Sequence, residues 1–359
     1  MFEVFKQVFT DYNFLSAFFQ TVVIIFLGFL FMKLKLVDSA GKKTITALIW
    51  KLAVPCFAFN AFMQDFEWAS FKNSLVEFVL AFIFYVLLII AGRLIFLKKG
   101  KDASIIAGLF MAIGQTTLFS MPILQSVYEG SGEQVMLYIS TISIVFRIFV
   151  YIIGYSIISG EKITFRNFGS SVKKVFLNPV MIGMFLGILV FLIQNITPQV
   201  MINVKDPLTG LAFEKSYSIF RIDQTLPVIY VTVRSLARMV SPLCMFMIGM
   251  SIGEANFTEC IKDRFAWCIA LLRNVAAPVI VALLCLLIHK SGIYSFDEYS
   301  LMAIIVGFSA PISVSLSILC VNYKREEMLA TRACLISTLL TLFTFPLSFV
   351  LGHLVLLWL

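Results

Sequence analysis

A chain of 359 residues with 60% hydrophobic and 13% charged side chains and a mean hydropathy of +0.97 is too apolar for a water-soluble domain. That excludes a soluble enzyme. The formal net charge of +8 gathers in short loops between apolar runs, so it bears on membrane orientation and gives no argument for a nucleic-acid partner.

Apolar runs of about 20 residues have the length of a bilayer-spanning helix. Flanking charges and turn residues delimit ten in chain order, at 13–32, 44–63, 74–97, 103–126, 134–159, 173–194, 228–252, 264–289, 300–321 and 328–356. The first run carries its cations after it and has no small-residue cleavage site, so it reads as a retained helix and not as a signal peptide. The fold class expected is therefore an all-α integral membrane protein with ten transmembrane helices.

The loops assign the orientation. Lys33, Lys35, Lys42, Lys43 and Lys51 follow span 1, Arg93, Lys98, Lys99 and Lys101 follow span 3, and Lys162, Arg166, Lys173 and Lys174 follow span 5. Lys262 and Arg264, then Lys324, Arg325 and Arg332, mark the later odd loops. The even loops are poorer in cations, with Asp65, Glu67 and Lys72, then Glu129 and Glu133, then Lys290, Asp297 and Glu298. By the positive-inside rule both termini lie outside a cytoplasmic (cell) membrane that the chain crosses many times.

The two halves, 1–160 and 161–359, repeat one pattern. Span 2 holds Lys51 and Pro55 before a bulky run, and span 7 holds Arg238 and Pro242 before another. Pro122 lies 67 residues after Pro55, and Pro311 lies 69 after Pro242. Spans 4 and 9 place small and hydroxyl residues around a proline, GQTTLFSMPILQ against GFSAPISVSLS. Five spans per half is an odd number, so the second copy enters the membrane from the opposite face, as two inverted five-helix repeats. Proline removes a backbone donor and obstructs the carbonyl a turn earlier. Matched breaks in inverted repeats point to a midplane site where half-helix ends meet, here at Gly114, Pro122 and Pro311, with Pro55 and Pro242 on the other pair of spans.

Candidate substrate ligands follow. Gln115, Thr116 and Ser120 from one break and Ser313 and Ser315 from the other offer hydrogen bonds, and exposed amides at a half-helix N-terminus favour an anion. Arg147, near the centre of span 5, has a fork of donors suited to a carboxylate. The competing reading of Arg147 is a structural arginine, bonded to the carbonyls of a helix break or snorkelling to the surface. Arg273 falls in the cytoplasmic third of span 8, where a long side chain can snorkel to the surface. Asn60, beyond Pro55, faces either the site or a neighbouring helix. Glu77 and Glu254 lie toward span ends and are expected to face water, which leaves no central carboxylate for cation exchange. The seven cysteines show no C-x-x-C spacing and read as small apolar fillers, so no metal site and no cofactor are expected. His289 and His353 lie at span ends, and neither H-E-x-x-H nor G-x-S-x-G occurs, which argues against an intramembrane enzyme.

The order of LGFLFMKLKLVDSAGKKTITALIWKLAVPCFAF, GQTTLFSMP, NPVMIGMFLGILV, SPLCMFMIGMSIG and SAPISVSLSILCVNYKRE resembles the auxin efflux carrier family, which includes bacterial malate permeases and malonate transporters. The resemblance runs through nearly the whole chain. Gln115 stands where the family usually has asparagine, Ser120 where it often has glycine, and Ser315 where asparagine is common. The resemblance implies a crossed-helix carrier akin to the bile-acid symporters, with a scaffold domain of spans 1, 2, 6 and 7 and a transport domain of spans 3–5 and 8–10. It implies an organic-anion substrate, here a dicarboxylate such as malate, moved by an elevator-like step, and a homodimer formed through scaffold helices. Gly28, Gly183 and Gly187 would permit close helix packing in that scaffold. The alternatives are a carrier for auxin-like or other monocarboxylates and a non-transporting receptor or scaffold. A proton or sodium ion could couple the transport. Residues 197–224 are expected to form a long outside loop.

Overall fold

The fold comes from a computed structural model that describes residue 6 and residues 9–128, 133–160, 179–205, 212–254 and 260–359. Lys162, Arg166, Lys173, Lys174, Glu129, Pro207, Gly210 and the first residues of expected span 6 lie outside the described residues.

Aspartates start several of the helices. Asp11 accepts from the Phe14 N–H at 2.7 Å ahead of α1 (Tyr12–Lys33). Asp38 accepts from the Gly41 N–H at 2.8 Å ahead of α2 (Ser39–Leu48). Each satisfies an amide that has no partner within its helix. Expected span 2 continues through a π-helical segment, Ile49–Ala53, into α3 (Val54–Asn60). Span 3 is α4 (Trp68–Ile95). Span 4 comprises α5 (Lys101–Ala112), a π-helical segment at Thr116–Ser120 and α6 (Met121–Val127). Span 5 runs through α7 (Glu133–Ile148), a π-helical Phe149–Gly154 and α8 (Tyr155–Ser159). Span 6 is α9 (Pro179–Ile193).

After the short α10 (Ile222–Thr225), span 7 is α11 (Pro227–Arg238) followed by α12 (Val240–Glu254). Span 8 is α13 (Arg264–Leu271), a π-helical Leu272–Ala276 and α14 (Ala277–Lys290). Span 9 is α15 (Glu298–Phe308) and α16 (Val314–Asn322), and span 10 is α17 (Glu327–Leu356). Pro55, Pro122 and Pro278 each stand at the second residue of the helix that follows a π-helical segment. A proline without an N–H forces the turn before it to widen, so these are local accommodations of the proline ring.

Six helices are long and apolar enough to cross a membrane: Tyr12–Lys33, Trp68–Ile95, Gln134–Ser159, Pro227–Glu254, Arg264–Lys290 and Glu327–Leu356. They are expected spans 1, 3, 5, 7, 8 and 10. Pro179–Ile193 and Glu298–Phe308 are shorter apolar helices. The chain is thus a mostly helical, multi-pass membrane protein. Phe19, Phe26, Val79, Ile90 and Leu283 point outward, the side of a helix that meets lipid chains.

Most of the helix packing falls into two sets, which meet where α1 and α12 touch α6. In the first, α1 lies on α12, while α9 and α11 lie on α3. A Cβ on Gly28 would fall 2.1 Å from the Phe246 carbonyl oxygen, and one on Gly249 1.9 Å from that of Ile25, so bare glycines let the backbones touch. In the second, α4 packs on α5 and α7, α15 on α7 and α17, and α13 on α17. The start of α1 and the end of α17 meet where the Phe14 and Phe349 rings lie 4.9 Å apart, so both terminal helices begin and end on one face.

The all-α expectation needs one correction. Residues expected as a loop form a β-hairpin, β1 (Gln199–Lys205) antiparallel to β2 (Ala212–Ser218), in register from Gln199 opposite Ser218 to Lys205 opposite Ala212. Alternating Val200, Ile202 and Val204 suit a strand, a period-two signal hidden by the surrounding helix pattern. Arg221 anchors the hairpin's base, reaching Asp65 at 2.7 Å and Asp223 at 2.8 Å, while Lys215 reaches Asp65 at 2.7 Å.

Candidate functional site

The residues between the half-helices of spans 4 and 9 cross each other. Gly114 and Ile312 form an antiparallel bridge. The Gln115 N–H donates to the Pro311 carbonyl at 2.7 Å, and the Ser313 N–H donates to the Ile113 carbonyl at 3.1 Å. In hydrocarbon an unpaired backbone group costs several kcal/mol, and here each break supplies partners for the other.

The polar side chains complete this pairing. Gln115 Oε1 accepts from the Val314 N–H, the first amide of α16, at 3.2 Å. The Thr116 hydroxyl donates to the Gly307 carbonyl at 3.2 Å and the Ser120 hydroxyl to that of Val306 at 2.7 Å. Ile312 N–H donates at 3.0 Å to Ser337, whose hydroxyl donates at 2.6 Å to Asn274 Oδ1. The Asn274 amide nitrogen reaches Thr341 at 2.7 Å.

Arg273 is fully buried and turns inward, where the sequence allowed it to snorkel. Its Nε donates to the Ala310 carbonyl at 2.9 Å, and its Nη1 to those of Met111 at 3.1 Å and Ala112 at 2.7 Å. One guanidinium thus takes the last carbonyls of α5 and one just past the end of α15, near two helix ends whose dipoles are negative. Gly114 makes the room, since a Cβ there would fall 1.9 Å from Arg273 Nη2. The structural role open to Arg147 in sequence, bonding to helix-break carbonyls, is thus also filled by Arg273.

Arg147 is fully buried beside the crossover. Its Nη2 lies 3.5 Å from the Thr117 hydroxyl, and its guanidinium carbon 5.9 Å from the centre of the Trp50 ring. It therefore bridges span 5, the span 4 break and span 2.

A cavity of about 460 Å³ opens between α3, α6, α7 and α11. Asn60, Gln64, Gln125, Tyr230, Arg234 and Arg238 are among its walls. The Tyr230 hydroxyl donates to Asn60 Oδ1 at 2.5 Å. Asp223, also on the wall, is engaged by Arg221 through two bonds of 2.8 Å.

Of the residues singled out in sequence, Gly114, Gln115, Thr116, Ser120, Pro311 and Ser313 meet at the crossover, with Arg147 and Arg273 against it. Ser315 is half-buried in the first turn of α16. Asn60 is the one that lines the cavity. Pro122 lies beyond the break, and Pro55 and Pro242 lie in α3 and α12. Arg234 and Arg238 were missed as cavity residues, since Arg238 was read only as the cation of the span 7 repeat pattern and Arg234 was not singled out. Their spacing of one helical turn within an apolar run was the available signal.

The expectation for Glu77 is overturned. It lies in the third turn of α4 with no solvent exposure, and neither carboxyl oxygen has a hydrogen-bond partner among the described residues. Helix α4 begins at Trp68, earlier than the span drawn from hydropathy, and that places Glu77 inside it. Glu254 is exposed as expected, held by Lys42 at 2.5 Å and Ser39 at 2.7 Å.

The family model described as "Membrane transport protein" matches residues 13–349. No curated protein matches the chain.

Proposed function

Because the chain belongs to the auxin efflux carrier family of membrane transport proteins, we propose that this transporter is a secondary carrier for a small organic anion, a dicarboxylate such as malate. The observation that carries the reading is a cavity with two arginines on its wall, next to a crossover of broken helices. Anion enters the cavity past Arg234 and Arg238, meets Asn60, and is received at the crossover by Arg147 with Ser313 and Ser315. Gln115, Thr116 and Ser120 hold the break in shape, and Arg273 fixes the half-helix ends. In this conformation Trp50 and Thr117 seal Arg147, so a movement of one helix set past the other is what admits substrate to it.

The packing of α1 on α12, and of α9 and α11 on α3, supports a scaffold of spans 1, 2, 6 and 7, against a transport domain of the rest, and hence the elevator step. The crossing of spans 4 and 9 supports ten spans in inverted repeats. The loop charges support termini outside the cytoplasmic membrane. The exposed apolar Val228 and Ile229 of α11 offer a homodimer surface on the scaffold.

The test is uptake of labelled malate into proteoliposomes under an imposed potential. Saturable uptake that falls in Arg147→Gln and in the double variant Arg234→Gln/Arg238→Gln, each still folded by thermal assay, is the expected result. Saturable uptake unaffected by these changes removes the arginines from the path. Uptake only of monocarboxylates, indole acids included, replaces the dicarboxylate.

A further inference from the structure

Glu77 is the buried acid that the crossover and the cavity do not use. Side chains from three other elements surround it. Ser300 comes from the first turn of α15, Tyr294 and Asp297 from the segment before it, and Tyr138 from α7. Cys285 of α14 lies within its field, and Asn73 belongs to its own helix. The hydroxyls of Ser300 and Tyr294 are buried without hydrogen-bond partners, as are both Glu77 oxygens.

Its acidic neighbour is in the opposite situation. Asp297 accepts from the Ser300 N–H at 2.7 Å and from the Tyr138 hydroxyl at 3.3 Å, and that hydroxyl is itself 3.4 Å from the Asn73 amide. It also begins α15, at the positive end of a helix dipole, and is half-buried. One carboxyl thus has its donors engaged and a route to water, and the other has no solvent exposure and no hydrogen bond formed. When two nearby carboxyls have environments this different, one ionises and the other stays neutral.

An unpaired carboxylate sealed from water is costly enough that the group holds a proton or binds a cation. Sodium in broken-helix carriers is typically held by half-helix C-terminal carbonyls. Here Arg273 occupies those carbonyls, a fixed cation in the place of a mobile one. Among the described residues no group of His, Cys, Asp and Glu has the size to hold a metal ion.

We infer that Glu77 is a proton-binding site, neutral in this conformation, that exchanges its proton through Asp297 and couples proton movement to transport. The proton leaves the Glu77 carboxyl for an Asp297 oxygen and from there passes to water, leaving the Glu77 carboxylate. Ser300 and Tyr294 are the hydroxyls placed to bond that carboxylate as it forms. The coupling, though not the proton site itself, rests on the carrier reading above.

Infrared difference titration of the purified full chain tests the site without any transport. A protonated-carboxyl band at neutral pH, absent from Glu77→Gln and shifted in pH by Asp297→Asn, is the expected result. The same band in wild type and Glu77→Gln overturns the site, as does a sodium-dependent thermal shift with no such band. Glu77→Asp provides a second titrating variant should Glu77→Gln fold poorly. In proteoliposomes, one unit of pH gradient coupled to one proton is worth about tenfold in accumulation. Wild type should gain this and Glu77→Gln should lose it while keeping potential-driven uptake. Wild-type uptake that ignores the pH gradient overturns the coupling and leaves the carrier standing. Absence of uptake for every anion overturns the carrier, and with it the coupling, while the infrared result still decides the proton site.

Discussion

The crossover and the Glu77 pocket are both polar, both buried and both contributed to by α15, yet they differ in how completely their polar groups are paired. Among the described residues, Arg273 Nη2 and the Ser313 hydroxyl are without partners amid many bonds at the first, whereas the second leaves both Glu77 oxygens so. At the crossover Arg273 donates to three carbonyls, and Gln115, Thr116, Ser120 and Ser337 are each bonded to backbone. In the pocket Glu77, Ser300 and Tyr294 keep polar atoms without hydrogen-bond partners. A satisfied network is rigid, because any displacement leaves a buried group without its partner. An unsatisfied one gains by taking up something from outside, which is the condition for a site that binds and releases.

The contrast can be broken most directly at Arg273. Arg273→Met strands three buried carbonyls and removes the charge facing two helix ends, and should cost about 3–5 kcal/mol, the range for breaking buried charged contacts. Thermal unfolding in detergent measures it. Gly114→Ala places a Cβ against the same guanidinium and should cost about 1–3 kcal/mol by overpacking, read in the same assay. Ser337→Ala deprives the Ile312 N–H of its acceptor and Asn274 of a donor, for about 1–3 kcal/mol.

Glu77→Gln should behave differently, leaving stability at neutral pH within about 1 kcal/mol of wild type, since an amide replaces a group with no bonds to lose. A large loss of stability in that variant would make Glu77 part of the framework and erase the contrast. The smallest effect belongs to the water-exposed hairpin clamp. Burial raises the Asp65 carboxyl, but hydrogen bonds and charge from Lys215 and Arg221 outweigh it and hold it below its ordinary value. A depressed carboxyl adds stability above its unfolded value and loses it as pH falls through the folded one. Asp65→Asn should therefore cost under about 1 kcal/mol at neutral pH, with the difference from wild type shrinking below about pH 4, followed by melting curves across that range.

Much of the crossover was legible in the chain. Glycine, proline, amide and hydroxyl residues inside two apolar runs are anomalous wherever a helix must satisfy its own backbone, and that anomaly located Gly114, Gln115 and Pro311. The proline signal was less exact. Pro122 widens a turn after the break, while Pro311 lies in the break itself, and a proline in sequence does not say which of these it does. Arg147 and Arg273 were both visible as intramembrane cations, but which of them would meet the helix-end carbonyls depended on the approach of the π-helical Leu272–Ala276 to two other breaks. The hairpin was missed because its alternation spans only seven residues per strand, too few to stand out between long helices.

Composition and apolar run length by themselves determined that this chain lives in a bilayer, and the broken runs determined where its backbone would need help from elsewhere. Those are local properties, dictated by transfer free energies and by the hydrogen-bonding needs of each segment. The tertiary structure alone decided that Arg273 faces the crossover, that Arg234 and Arg238 share a cavity wall, and that Glu77 is sealed with Asp297 nearby. Each depends on which helix faces lie together, and packing of distant segments, not the residue's own neighbours in sequence, sets whether a charge meets water, a partner or neither.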